Sequence, residues 1–175
     1  FKGSRGNQYN LGDLRPVFEV VESAGGLYIG ARRNAENGHY YWRITQWVMP
    51  SYTMIPPRGT HSVHGHFWIP IDDENCWAWS FDYHPTRHLT DAELAAMRAG
   101  KGIHAKVDGN FRPLANKDND YLMDRAAQKA GRTYSGVEGF AMQDQSLQES
   151  MGPIIDRTKE TLVSTDSGII MARQR

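Results

Sequence analysis

The chain has 175 residues, and its 20 Lys and Arg balance 20 Asp and Glu to a formal charge of zero. A surface that displaces counterions from phosphates needs a net basic field, so a dedicated nucleic-acid binder is excluded. The 39% of apolar residues suit a globular fold rather than a disordered tail, and the length suits one core, so residues 1–175 read as one domain. A single cysteine, Cys76, leaves no internal disulfide and no all-cysteine metal site, and points to a reducing, cytoplasmic setting. No apolar run approaches the roughly 20 residues that span a bilayer. The start at Phe1-Lys2-Gly3 resembles neither a signal peptide nor a start-methionine terminus, and the last residues, through Arg175, lie in a helical pattern without a cap, so the chain reads as a fragment of a larger protein.

The first half has the alternation and composition of a sheet. Val17–Glu22 and Leu27–Ala31 are short β-rich runs around the turn residues Ala24-Gly25-Gly26, which predicts a hairpin. The aromatic run His39–Met49 predicts a third strand ending at Pro50. Two further strands, His64–Ile71 and Cys76–Tyr83, flank Asp72-Asp73-Glu74-Asn75, which reads as a hairpin turn. All five tryptophans, Trp42, Trp47, Trp68, Trp77 and Trp79, fall in this region, predicting a ring-rich face that packs a core or lines a ligand cavity.

The second half changes period. Thr90-Asp91-Ala92-Glu93 is a capping box that predicts a short helix stopping at Gly100. Residues 101–121 gather Gly, Asn, Asp and Pro without regular apolar spacing and read as a lid or a disordered loop. A helix is predicted from Val137 to Met151, broken by Gly152-Pro153, and a last helix is entered through Ser164, Thr165 and Asp166. Strands first and helices last predict an α+β fold with helices on one face of an antiparallel sheet.

Asp144 is the most informative single residue. Val137, Phe140, Ala141, Leu147, Gln148 and Met151 stand three, four or seven places from it, so the carboxylate shares an apolar helix face turned to the core. A buried carboxylate requires a metal, an arginine or several donors, and position alone leaves a structural ion pair, a solvent-facing Asp and a metal ligand all open. His61, His64 and His66 form a second cluster. His64 and His66 project to one side of a strand, the geometry of a cupin-like metal site if a carboxylate joins them, or of ordinary strand-edge histidines if none does. Arg43, mid-strand between Trp42 and Ile44, suits a substrate carboxylate or a cross-strand acid. Phosphate loops, Gly-x-Ser-x-Gly elbows and His-Glu-x-x-His helices are absent from the sequence. Cys76 has no basic neighbour to activate it and reads as inert.

The run from Gly136 to Arg157, with its core Gln143-Asp144-Gln145-Ser146-Leu147-Gln148-Glu149-Ser150-Met151-Gly152-Pro153-Ile154, resembles the C-terminal catalytic domain of Rieske non-haem iron oxygenases, in particular oxygenase subunits of the phthalate 4,5-dioxygenase type. Asn119–Arg125, Arg43–Pro50 and Ile69–Asn75 carry the same resemblance. It implies a helix-grip (START/Bet v1-like) domain, an antiparallel sheet wrapped around a long C-terminal helix beside a mostly apolar pocket. It places Asp144 as the carboxylate ligand of a mononuclear Fe(II), and makes Trp47, His66, Phe140 and Arg43 candidates for contact with a small aromatic substrate, with Arg43 holding a carboxylate. It further implies O₂ as co-substrate, electrons from an NADH-linked reductase through a Rieske [2Fe–2S] cluster, and a homotrimer. The family's two iron-binding histidines belong to an acidic-x-x-His-x-x-x-x-His motif that this sequence does not contain, and its one cysteine cannot supply the cluster. His61 and His66 share the four-residue gap but on a strand would face opposite sides. The competing class is a non-catalytic helix-grip carrier, which has no use for a carboxylate on a cavity-facing stripe.

Overall fold

The computed structural model describes residues 5–57 and 61–175, with the side chains of residues 5–7 left aside. Six strands, β1 (Val17–Ser23), β2 (Gly26–Asn34), β3 (Tyr40–Val48), β4 (Tyr52–Ile55), β5 (Val63–Pro70) and β6 (Cys76–Tyr83), form one antiparallel sheet in sequential order. Among the described residues five α-helices accompany them: α1 (Arg5–Gly12), α2 (Asp91–Arg98), α3 (Arg125–Lys129), α4 (Phe140–Ser150) and α5 (Ser167–Gln174). None of the described helices is long and apolar enough to cross a membrane. The chain divides into two compact units, one of Phe1–Pro70, Cys76–Arg87 and Thr158–Arg175, the other of Ile71–Asn75 and His88–Arg157.

In the first unit the β1–β2 hairpin turns at Ala24-Gly25, and Ser23 pairs with Gly26. Gly26 has a positive φ of 148°, and a Cβ there would lie 2.0 Å from the Trp47 carbonyl oxygen, so no side chain fits this approach of β2 to β3. Strand β4 is an element the sequence reading lacks. It is only four residues long, and it separates β3 from β5. The turn between β5 and β6 forms as expected: Asp72 Oδ1 accepts from the backbone N–H groups of Glu74 at 2.9 Å and Asn75 at 2.7 Å. Those donors hold the Asp72 carboxyl below the usual carboxylate range.

Strand parity sorts the side chains onto two faces. The register places Trp42, Trp77 and Trp79 on one face with Tyr28, Tyr40 and Tyr52, and places Trp47 and Trp68 on the other. The expected ring-rich face therefore exists, but it is the outer one. Rings there pack in a row, Tyr52 edge-on to Phe67 at 4.2 Å and Phe67 stacked on Phe81 at 4.9 Å, while Tyr28, Tyr40, Trp42, Trp77 and Trp79 are exposed. Odd spacing, as from Trp42 to Trp47, sends rings to opposite sides, and a count of tryptophans does not register that. The inner face carries Leu27, at 1% exposure the most buried large side chain among the described residues, and Ile29. Helix α5 lies against this face: Gly168 sits so close to Ile29 that a Cβ would come within 2.7 Å of its Cδ1. Arg175 at its end donates to Glu22 of β1 at 2.9 Å. The last helix thus packs on the sheet as a helix-grip arrangement requires. It has eight residues and is preceded by a separate 3₁₀ turn, Ser164–Asp166, at the entry the sequence marks.

In the second unit the capping box forms: Glu93 N donates to Thr90 Oγ1 at 3.2 Å, and Thr90 N donates to Glu93 Oε2 at 2.7 Å. We expect Thr90→Ala to lower stability by about 1 kcal/mol, read as a shifted urea midpoint with an unchanged slope. The segment expected to be a lid or disordered loop is ordered by side-chain caps. Asp108 Oδ1 accepts from Asn110 N and Arg112 N at 2.8 and 2.9 Å, Val107 bridges Pro113, and Asn116 opens a 3₁₀ segment, Lys117–Leu122. Local Asx bonds replace apolar periodicity as the ordering force, which explains why spacing alone misreads it. Helix α4 begins at Phe140, later than the predicted Val137, since Gly139 enters it with φ of 81°, while Val137 ahead of it is buried at 3% exposure.

Candidate functional site

Helix α4 turns about 100° per residue, so Phe140, Asp144, Leu147 and Met151 fall within about 60° of one another around its axis. The stripe anticipated from the sequence is real, but it does not face a core. Phe140, Asp144 and Met151 are exposed and Leu147 is 67% exposed. The helix is anchored instead through Met142, 7% exposed, which clusters with Tyr121 and Val137 against Ala105, Ala115, Met123 and Ala141. The Asp144 carboxylate makes no hydrogen bond or ion pair to any described residue. Both its oxygens are available to a partner from outside. Its neighbours in sequence are fixed: Gln143 Nε2 donates to Val137 O at 3.0 Å, and Gln145 Nε2 donates to Glu149 Oε1 at 2.6 Å.

Tyr121, within one of the family-like segments, is the residue that sequence reasoning missed. It sits in three successive left-handed residues, Asp120, Tyr121 and Leu122, with φ of 51°, 55° and 51°. Each costs about 1–2 kcal/mol for a non-glycine residue, so the turn persists only because something offsets it. The offset is visible: the ring is 8% exposed in the cluster, and its hydroxyl donates to Glu149 Oε2 at 2.5 Å. Burial first, then the Glu149 carboxylate, pushes the phenol up to about 12, so it remains a proton donor throughout the neutral range.

Within the sheet unit, Arg43, Trp47 and His66 share the inner face, where Trp47 pairs with Thr53 and Thr53 with His66. Arg43 lines an open cleft of about 240 Å³ with Phe18, Ile29, Arg33, Thr45 and Asn10. Its Nη2 donates to Pro56 O at 3.1 Å. Nη1 of Arg43, Nη1 of Arg33 and Oδ1 of Asn10 are shielded from solvent without a hydrogen-bond partner among the described residues. Buried donors left unpaired are costly, and a ligand with paired acceptor oxygens would satisfy two guanidinium groups at once. Arg33 could have been found from parity, since it and Arg43 occupy the same face of adjacent strands.

His64 and His66 do project to one face, as the cupin-like alternative needs, yet His64 sits 3.8 Å from Asp82 across the β5–β6 pair and the His66 ring lies tilted against Trp68 at 5.1 Å. Among the described residues no three His, Cys, Asp or Glu are grouped to hold a metal ion, and this removes the cupin-like reading. The same observation bears on Asp144: no further His, Cys, Asp or Glu among the described residues is grouped with it to hold a metal ion, and an exposed carboxylate without a side-chain partner fits as one oxygen donor of a larger ligand set.

A six-stranded antiparallel sheet with the C-terminal helix on its inner face defines an α+β helix-grip domain. Residues 12–175 match the family model described as "LigXa C-terminal domain like", and the chain belongs to that family. It is 33% identical over 174 residues to the 3-chlorobenzoate-3,4-dioxygenase oxygenase subunit of Comamonas testosteroni, and 30% identical over 165 residues to the phthalate 4,5-dioxygenase oxygenase subunit of Pseudomonas putida. Each match covers 93% of this chain, which spans 40% and 37% of those two proteins. The resemblance to oxygenase subunits of the phthalate 4,5-dioxygenase type thus extends over nearly the whole chain.

Proposed function

We propose that residues 1–175 are the larger part of the catalytic domain of a Rieske-type oxygenase that hydroxylates an aromatic ring, an aromatic acid in particular, with O₂ and electrons from an NADH-linked reductase. The observation that carries this reading is the similarity over 93% of the chain to two dioxygenase oxygenase subunits, with the Asp144 carboxylate of α4 as the proposed iron ligand within the family-like string. In the intact subunit Asp144 holds a mononuclear Fe(II) together with two imidazoles from outside this chain. That metal, when bound, supplies the open coordination positions at which oxygen chemistry occurs. The [2Fe–2S] cluster belongs to a Rieske domain also outside these residues, the assembly is a homotrimer, and the setting is cytoplasmic. The chain alone is inactive, since it holds one donor of the set.

The residues of this chain do three things in that scheme. Asp144 contributes negative charge and a fixed oxygen donor. Phe140 beside it, and Trp47 and His66 on the inner sheet face, offer apolar and aromatic surface to a flat ring. Arg43, assisted by Arg33, meets a substrate carboxylate with the N–H groups that now lack acceptors. The acid preference is testable in the intact subunit supplied with its reductase. Arg43→Gln should raise KM for an aromatic carboxylate by about 10- to 100-fold, the worth of a hydrogen bond to a charged group, while leaving KM for the matching neutral amide within about twofold. Equal KM changes for both substrates would remove Arg43 from substrate recognition.

A further inference from the structure

We infer that Tyr121 and Glu149 are positioning residues that set the rotation of α4 and thereby aim Asp144. Around the helix axis Met142 and Glu149 lie about 180° from the middle of the Phe140-Asp144-Leu147-Met151 stripe. Tyr121 occupies that opposite side along its length: its ring packs with Met142 and Val137 toward the start of the helix, and its hydroxyl reaches Glu149 near the end. Two attachment points about two turns apart fix both the tilt and the rotation of a helix, whereas one would leave it free to roll. The other Glu149 oxygen accepts from Gln145, the residue next to Asp144, and Gln143 on its other side is tied to Val137 O. The carboxylate itself is left unpartnered while each flanking residue is held. The left-handed turn at Asp120–Leu122 is explained by the same role, because it turns the Tyr121 ring inward against the helix.

This inference rests on Asp144 being an iron ligand, and the experiment separates the two. Apo forms of the intact oxygenase subunit carrying Tyr121→Phe, Glu149→Leu, Glu149→Gln or Asp144→Ala are titrated with ferrous iron, and thermal unfolding is followed in parallel. Tyr121→Phe and Glu149→Leu should each weaken Fe(II) binding by about tenfold in protein that is fully folded at the titration temperature, the usual size of an effect from a residue that orients a ligand. Glu149→Gln keeps an oxygen for the Tyr121 hydroxyl, and the Gln145 amide can turn over to match it, so its affinity should stay within about twofold of the parent. A purely structural role would lower the melting temperature without this pattern in affinity. Unchanged iron affinity in Tyr121→Phe, or a Glu149→Gln as weak as Glu149→Leu, overturns the inference while iron loss in Asp144→Ala preserves the ligand reading. Retained iron in Asp144→Ala overturns both.

Discussion

Replacing Asp144 with alanine in the intact oxygenase subunit is expected to strip the mononuclear iron and take product formation to the detection limit, while leaving the [2Fe–2S] absorption and the folded state unchanged. Two features of the structure make this sharp. The Asp144 side chain is exposed and makes no hydrogen bond or ion pair to any described residue, so its removal leaves no buried partner unsatisfied and no cavity behind. Any loss of activity therefore reports the function of the carboxylate rather than damage to α4. For this chain alone the same substitution should move stability by no more than about 0.5 kcal/mol. The measurement is iron per subunit by metal analysis, beside single-turnover product yield. A subunit that retains iron and turnover without this side chain would end the reading of Asp144 as a ligand. Asp144→Asn is the finer probe: it preserves shape and one oxygen but deletes the charge, so iron should bind more weakly than in the parent and more tightly than in the alanine variant.

That prediction depends on a stripe legible in the sequence and on an orientation that was not. Helical spacing places Phe140, Asp144, Leu147 and Met151 together, and it does so correctly. Which way the stripe faces is decided by Tyr121, 28 residues from its partner Glu149 in the chain and held in a left-handed turn that no propensity favours. A local pattern has no access to such a contact. The strands show the same division. β-Branched and aromatic runs mark β1, β2, β3, β5 and β6, and the Thr90 capping box marks α2, because each is a local preference that the fold reinforces. Strand β4 is four residues between Pro50 and Pro56, too short to show alternation, and exists because β3 and β5 flank it on both sides. The tryptophans were visible but their division between the faces was not, since parity needs strand boundaries and register rather than composition. Arg33 was hidden for a similar reason: only the pairing of β2 with β3 brings it to the cleft shared with Arg43.

Leu27→Ala should be the most destabilising single truncation in the sheet unit. At 1% exposure its side chain is the only fully buried large one among the described residues, on the inner face of β2 with Trp47 as its cross-strand neighbour. Cutting a leucine to alanine in such a site removes about 2–5 kcal/mol, made up of lost transfer energy and a cavity that the surroundings fill only in part. Collapse around the gap is restricted here. Gly26, the adjoining residue, already brings β2 so close to β3 that a Cβ would stand 2.0 Å from the Trp47 carbonyl oxygen, so the two backbones have no room to close further. The cost should therefore fall in the upper half of that range, and at roughly 2–4 °C per kcal/mol for a chain of this size the melting temperature should drop by about 7–20 °C. Urea unfolding followed by tryptophan fluorescence is the suitable measurement, since Trp47 reports the same contact. Leu147→Ala supplies the contrast: the same atoms are removed from a side chain that is 67% exposed, and the expected change is within about 0.5 kcal/mol. Equal losses from the two substitutions would mean that the inner sheet face is not where this unit draws its stability.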